Sequence, residues 1–403
     1  MHSGRINILL FTLLSLLLTT GCLKDMDNSA TLTVTLQVPE DIDTELDLTT
    51  ISVRLQNKGS SINFTKNPDQ SGSVSFKVQP GKYDIIASSY DESTRIAING
   101  AASEFLLSED GIIDQQGNTI PSVINILLDV AIPSPLIFRE IYFHGSSTLN
   151  GATYTADTYL EVYNNSGPGG KTEYLDSMCI ATVYPANSTT GNNAWLGRDT
   201  IPVFQMFWMF PGDGKSYPLA PGESYVVALR AAVDHSSRAT SGLHLEKAHF
   251  GCYDDALTLH EISAGVPRMV CYMAGKGYGW GVSIHSPAFI LFKPEMGVKK
   301  YREDAVTWEK YEPGRTSGSK YWHVAKSWIS DGVECVDTPE GAVKRLPSSV
   351  DAAYTHMTSP HYSGKCITRK LLGTYEGIEV YKDTNNSFED FVPDSPLQPR
   401  LKK

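Results

Sequence analysis

Residues 31–38 read TLTVTLQV, with Leu32, Val34, Leu36 and Val38 at every second position. Successive side chains of a strand point to opposite faces, so a period of two marks a half-buried strand and not a helix. The same alternation returns in SVSFKV (Ser73 to Val78), and QPGKYDIIASSY then gives a Pro-Gly turn feeding Tyr83, Ile85 and Ala87. Further strands fit Ile51–Leu55, Arg95–Ile98 and Val123–Val130. Short strands of this kind, separated by turn residues, predict an antiparallel β-sandwich over residues 31–130. AIPSPL then sets Pro133 and Pro135 two apart, a stiff segment hostile to helix, and residues 131–135 are read as a linker.

Working outward, residues 136–403 predict a second all-β sandwich. LIFREIYFHG is an apolar strand. In DTYLEVYNNSG, Tyr159, Glu161 and Tyr163 point one way and Leu160 and Val162 the other, before Asn-Asn-Ser-Gly breaks the strand. YLDSMCIATVY, PLAPGESYVVAL and DDALTLHEI continue the pattern. FQMFWMF (Phe204 to Phe210) offers Phe204, Met206, Trp208 and Phe210 to one face and Phe207 and Met209 to the other. Such a strand is core on one side, and either core or a partner-binding surface on the other.

The chain of 403 residues opens with MHSGRINILLFTLLSLLLTTGC, where Arg5 precedes an apolar run from Ile8 to Leu18. The run is too short for a permanent span, so residues 1–21 are read as a secretory leader. A net charge of −11 supplies no field for phosphates, which sets nucleic acid aside as a partner. Beyond Cys22, the cysteines are Cys179, Cys252, Cys271, Cys335 and Cys366, an odd number without C-x-x-C spacing. At least one stays unpaired, and neither a zinc ribbon nor a redox motif is supported.

The Gly21-Cys22 junction resembles the lipobox of bacterial lipoproteins, although Thr19 stands where Leu is commoner. That resemblance implies a lipidated Cys22 as the mature N-terminus and residues 22–30 as an acidic tether. LKDMDN resembles the surface-export signal of Bacteroidota lipoproteins, while short acidic stretches also occur as plain linker. VQPGKYDIIA resembles transthyretin-like or carboxypeptidase-regulatory-like sandwiches, which implies a spacer. The order REIYF, YLEVYNNSG, YLDSMCI, LAPGESYVVAL and DALTLHE, closed by GKCITRK and DTNNSFEDF, resembles the lamin-tail module, an immunoglobulin-type sandwich. The match fades over about 263–360, which implies a large insertion. At whole-chain scale, FWMFPGDGKSYPLAPGESYVVAL, AAVDHSS, SWISDGVECVD and DAAYTH resemble a Bacteroidota lipoprotein family carrying a domain of unknown function. The resemblance implies a cell-surface accessory protein.

No G-x-S-x-G elbow occurs, and Asp234-His235 and His260-Glu261 set acid and imidazole on opposite faces of a strand. For a metal, the nearest group is HLEKAHFGC, with His244 and His249 backed by His235, but the spacing does not converge on strand or helix. GKGYGWG lacks the P-loop order and brings Tyr278 and Trp280. Trp308, Tyr311, Tyr321, Trp322 and Trp328 alternate with Arg302, Lys310, Arg315, Lys320 and Lys326. These rings, with Tyr278 and Trp280, are the candidate partner contacts, against the alternative that they form a small core. No cofactor is implied. The expectation is a non-catalytic outer-membrane lipoprotein, accessory to a TonB-dependent nutrient or iron/haem uptake receptor. A glycan-binding or adhesive module and a hydrolase are the alternatives.

Overall fold

The structure, a computed structural model, describes residues 28–40, 46–60, 62–114, 116–188, 195, 198–273 and 278–403. The leader, Cys22 and the tether up to residue 27 lie outside the described residues. The described chain is all-β, in antiparallel sheets with a few parallel pairs, and its helices are of one or two turns. Its described residues divide into two compact units, those from 28 to 85 with 102–127, and those of 86–101 with 128–403.

In the first unit, Ala30–Gln37 lies between Ser73–Val78 and Val123–Leu127. Ala30, Leu32, Val34 and Leu36 are buried, as the alternation dictates, and Leu32 stands opposite Phe76. Val38 falls past the strand end and is exposed. The pairing with Val123–Leu127 is parallel, within the antiparallel all-β architecture that the alternation predicts.

The expected linker at 131–135 is also corrected. Asp129–Ala131 pairs as a strand with residues 97–99, and the Ser134 N–H donates to Asp383 at 3.0 Å. Both prolines therefore belong to the second unit.

The second unit is a sandwich of two large sheets. One runs Phe250–Gly251, Ser224–Ala228, Tyr159–Asn164, Leu136–Tyr142, Lys365–Arg369, Phe391–Pro396. The other runs Glu309–Tyr311, Lys320–Ala325, Thr200–Met209, Cys179–Val183, Ala288–Phe292, Ile329–Val336, Thr355–His356, with Val270–Met273 paired beside Thr200–Met209. Phe138, Leu160, Val162, Ile180, Trp208, Phe289, Leu291 and Val333 share the core between them. Residues 263–360 are thus no insertion. They supply six of the second sheet's eight strands, and Ala288–Phe292 lies inside it between Cys179–Val183 and Ile329–Val336, buried along its whole length.

Thr200–Met209 is covered on both faces. Met206, Trp208 and Phe210 enter the sandwich core, while Phe207 packs on Tyr272, Phe292 and Tyr301 beneath the helical turn Val298–Glu303. Phe204 is half-buried and stacks on Tyr184. Gln205 takes a φ of 62°, and the pairing slips between Ala181 opposite Phe207 and Val183 opposite Val203. The slip adds two residues to this strand, so Ile201 and Val203 beyond it stay on the Phe207 face. The described cysteines Cys179, Cys252, Cys271, Cys335 and Cys366 are all free thiols, and burial pushes each above its ordinary pKa.

Candidate functional site

Most of the rings singled out in the sequence turn inward. Trp322 and Trp328 are buried and Trp308 half-buried around Tyr301, with ring centroids 5.2, 5.5 and 5.6 Å from it. Trp280 is buried against Trp208, and its indole N–H donates to Thr182 at 3.2 Å. These four are core and are corrected as partner contacts. Tyr278 is 78% exposed. Tyr311, on the edge strand of the second sheet, and Tyr321 beside it are half-buried, with Lys320 5.1 Å over the Tyr311 ring and Tyr184 4.0 Å from Tyr321.

The histidines suspected as ligands do not converge. His235 is buried, with Nδ1 2.9 Å from the Tyr154 hydroxyl and Nε2 3.0 Å from the Ala231 carbonyl. His249 accepts the Val226 N–H and stacks on Tyr225. His244 faces Asp234 and Glu246 at 3.4 and 3.2 Å on the exposed surface.

A different group does converge. Ile141 stands opposite Ile367, so the chain leaving Leu136–Tyr142 meets the chain entering Lys365–Arg369. Ala288 stands opposite Glu334, so residue 285 meets residue 337 in the same way. His144, His285, Asp337 and His361 occupy these ends. His361 Nε2 lies 2.8 Å from Asp337 Oδ1, and His285 Nδ1 lies 3.6 Å from Oδ2. One ligand atom from each of His285, Asp337 and His361 lies within 4.8 Å of the other two. His144 is 2% exposed, its ring is 5.0 Å from that of His361, and its Nδ1 has no hydrogen-bond partner among the described residues. Burial first, then the nearby His361, pull its imidazole down to about 4, so it is neutral at pH 7.

The backbone fixes this arrangement. The Tyr362 N–H donates to the His144 carbonyl and the Gly364 N–H to the Gly145 carbonyl, each at 3.1 Å. Gly145 takes a φ of +71°, and a Cβ there would lie 2.3 Å from the Tyr154 carbonyl oxygen, so only glycine lets the chain turn directly after His144. Asp394 accepts both the N–H and the hydroxyl of Thr358 and of Ser359. Burial opposes its ionisation, yet those bonds bring it down to about 2. Its oxygens are thereby committed to holding the turn before His361. Two imidazoles and one carboxylate facing each other, with a third imidazole alongside, are a donor set for a cation; the His361–Asp337 pair is the only member set up for proton transfer.

Residues 220–397 match a family described as protein of unknown function (DUF4876). That stretch contains His285, Asp337 and His361 but not His144. The chain is also similar to a DUF4876 family protein from Bacteroides thetaiotaomicron of known crystal structure, at 26% identity and a TM-score of 0.58. The match covers 92% of this chain and 97% of that one, so it spans both units. No curated protein matches the chain.

Proposed function

We propose that this is a non-catalytic lipoprotein held to the outer membrane through Cys22, where it acts as an accessory to a TonB-dependent nutrient or iron/haem receptor. The observation that carries the reading is a leader ending at Gly21-Cys22, placed before a described chain that is all-β and has no helix long and apolar enough to cross a membrane. The whole-length likeness to a Bacteroides protein supports a Bacteroidota setting. The likeness of residues 31–130 to transthyretin-like sandwiches and of the following region to the lamin tail supports a spacer followed by a binding body. A non-catalytic role is supported by the thiols, which burial keeps protonated, and by Asp394, whose bonds to Thr358 and Ser359 keep it from serving as a second catalytic acid. Tyr278, Tyr311 and Tyr321 remain as the aromatic contacts, large rings able to bury area at small entropic cost. The half-buried Tyr311 and Tyr321 beside Lys320 favour a second reading, glycan binding.

Cell fractionation with protease shaving tests the anchor. Wild-type protein is expected in the outer-membrane fraction and cleaved on intact cells, and Cys22→Ser is expected to leave the membrane, because two or more acyl chains are needed for stable anchoring. Identical distribution of the two proteins would rule the anchor out.

A further inference from the structure

We propose that His285, Asp337 and His361, completed by His144, form a site for one divalent transition-metal ion of the zinc class. Zinc takes imidazole nitrogen and carboxylate oxygen at about 2.0–2.2 Å, so neighbouring donors of a tetrahedral ion lie roughly 3.4 Å apart. The separations of 2.8 Å from His361 to Asp337 and 3.6 Å from His285 to Asp337 bracket that spacing.

The independent observation is His144. Buried polar atoms are almost always hydrogen-bonded, and its Nδ1, on a side chain from a residue 2% exposed and next to the His361 ring, is not. With its proton on Nε2, the neutral imidazole offers that nitrogen as a lone pair, and with its ring 5.0 Å from that of His361 it joins the ion only by turning its side chain. Three imidazoles with one carboxylate select zinc, copper, nickel or iron over calcium and magnesium, which want oxygen. His285 is half-exposed and Asp337 and His361 about one-third exposed, so the ion enters from solvent. The four donors stand on four separate strand ends, two in each large sheet, so a bound ion ties the sheets together at this end of the sandwich. Asp234, His244 and Glu246 form a second trio that is more exposed and offers a single imidazole, and although one Glu246 oxygen is buried without a partner, no further imidazole completes it, so it serves as the control.

The test uses the full-length protein in detergent, stripped with a chelator, then equilibrated with ZnCl₂ and assayed for bound metal, with Co²⁺ as a spectroscopic probe. One tight zinc per chain is expected in wild type and in His244→Ala, with Co²⁺ giving the visible bands of a tetrahedral N/O site. His285→Ala, His361→Ala and Asp337→Asn are expected to weaken binding at least ~100-fold, since loss even of an outer partner costs about 10–100-fold. His285 is exposed enough that its variant will fold whatever happens to the others, and circular dichroism checks each. Binding absent at micromolar zinc, unchanged in His285→Ala, or lost only in His244→Ala would overturn the site. In the first case, an ordered water satisfies His144.

Discussion

Replacing Arg369 with Met will destabilise the second unit by about 3–5 kcal/mol, the range for breaking a buried ion pair from one side. Arg369 lies on Lys365–Arg369 in the first large sheet, and its guanidinium donates to both oxygens of Asp331 on Ile329–Val336 in the second, each at 2.7 Å. It also meets Asp383 at 3.1 Å and Asp390 at 3.4 Å from the returning chain end, and donates to the Phe138 and Lys382 carbonyls. One cation faces three buried carboxyls. Burial, only partly offset by Arg369, pushes Asp331 up to about 6 and Asp390 up to about 7. A carboxyl that holds its proton more tightly when folded contributes fully below the ordinary 3.8 and loses that contribution as pH rises through its folded value. Without the guanidinium that loss deepens. The deficit of Arg369→Met should therefore be larger at pH 8 than at pH 4.5, read from urea unfolding midpoints. An equal deficit at both pH values would contradict the shared-cation account.

Glu334→Gln is expected to cost a similar 3–5 kcal/mol. Glu334 and Arg345 are both wholly buried, and the carboxylate accepts the Arg345 Nε at 2.7 Å and the N–H groups of Arg345 and Leu346 at 2.9 and 2.8 Å. An amide placed there turns one acceptor into a donor and points it at N–H groups that have no other partner in reach. The double variant Glu334→Leu with Arg345→Leu should recover much of the loss, because removing both charges removes the desolvation cost with them. A double variant as unstable as the sum of the two single ones would mean that the pair adds nothing as a pair.

These networks explain which parts of the fold the sequence discloses. Alternation disclosed Ala30–Gln37 and Ser73–Val78, because a strand with one wet face writes its period into the chain. Ala288–Phe292 is buried on both faces and so has no period to read, and the stretch 263–360 that carries it therefore reads in sequence as an insertion. The amide-rich DTNNSFEDF, which in sequence resembles a closing element, folds back onto the Arg369 network. Phe391 is buried 4.8 Å beneath the Arg369 guanidinium, and Thr384 bonds Asp390 through its N–H and hydroxyl. Phe388, three residues before Phe391, is 39% exposed. The tryptophans Trp308, Trp322 and Trp328 carry no sign in sequence of whether they cover a sheet or face water, and only the packing on Tyr301 decides it. The histidine cluster was invisible for another reason. His144, His285, Asp337 and His361 are spread over more than two hundred residues, and what unites them is position at a strand end, in FHG, IHSP, VDTP and PHYSG.

The proposed accessory role is tested most directly by pulling the native lipoprotein from detergent-solubilised outer membranes and identifying what comes with it by mass spectrometry. The account predicts a TonB-dependent barrel, recovered at least ~10-fold less with Tyr278→Ala, Tyr311→Ala and Tyr321→Ala combined, since one exposed aromatic anchor is commonly worth more than 1 kcal/mol. Recovery of no barrel, together with binding to glycans that the same three substitutions abolish, would contradict it.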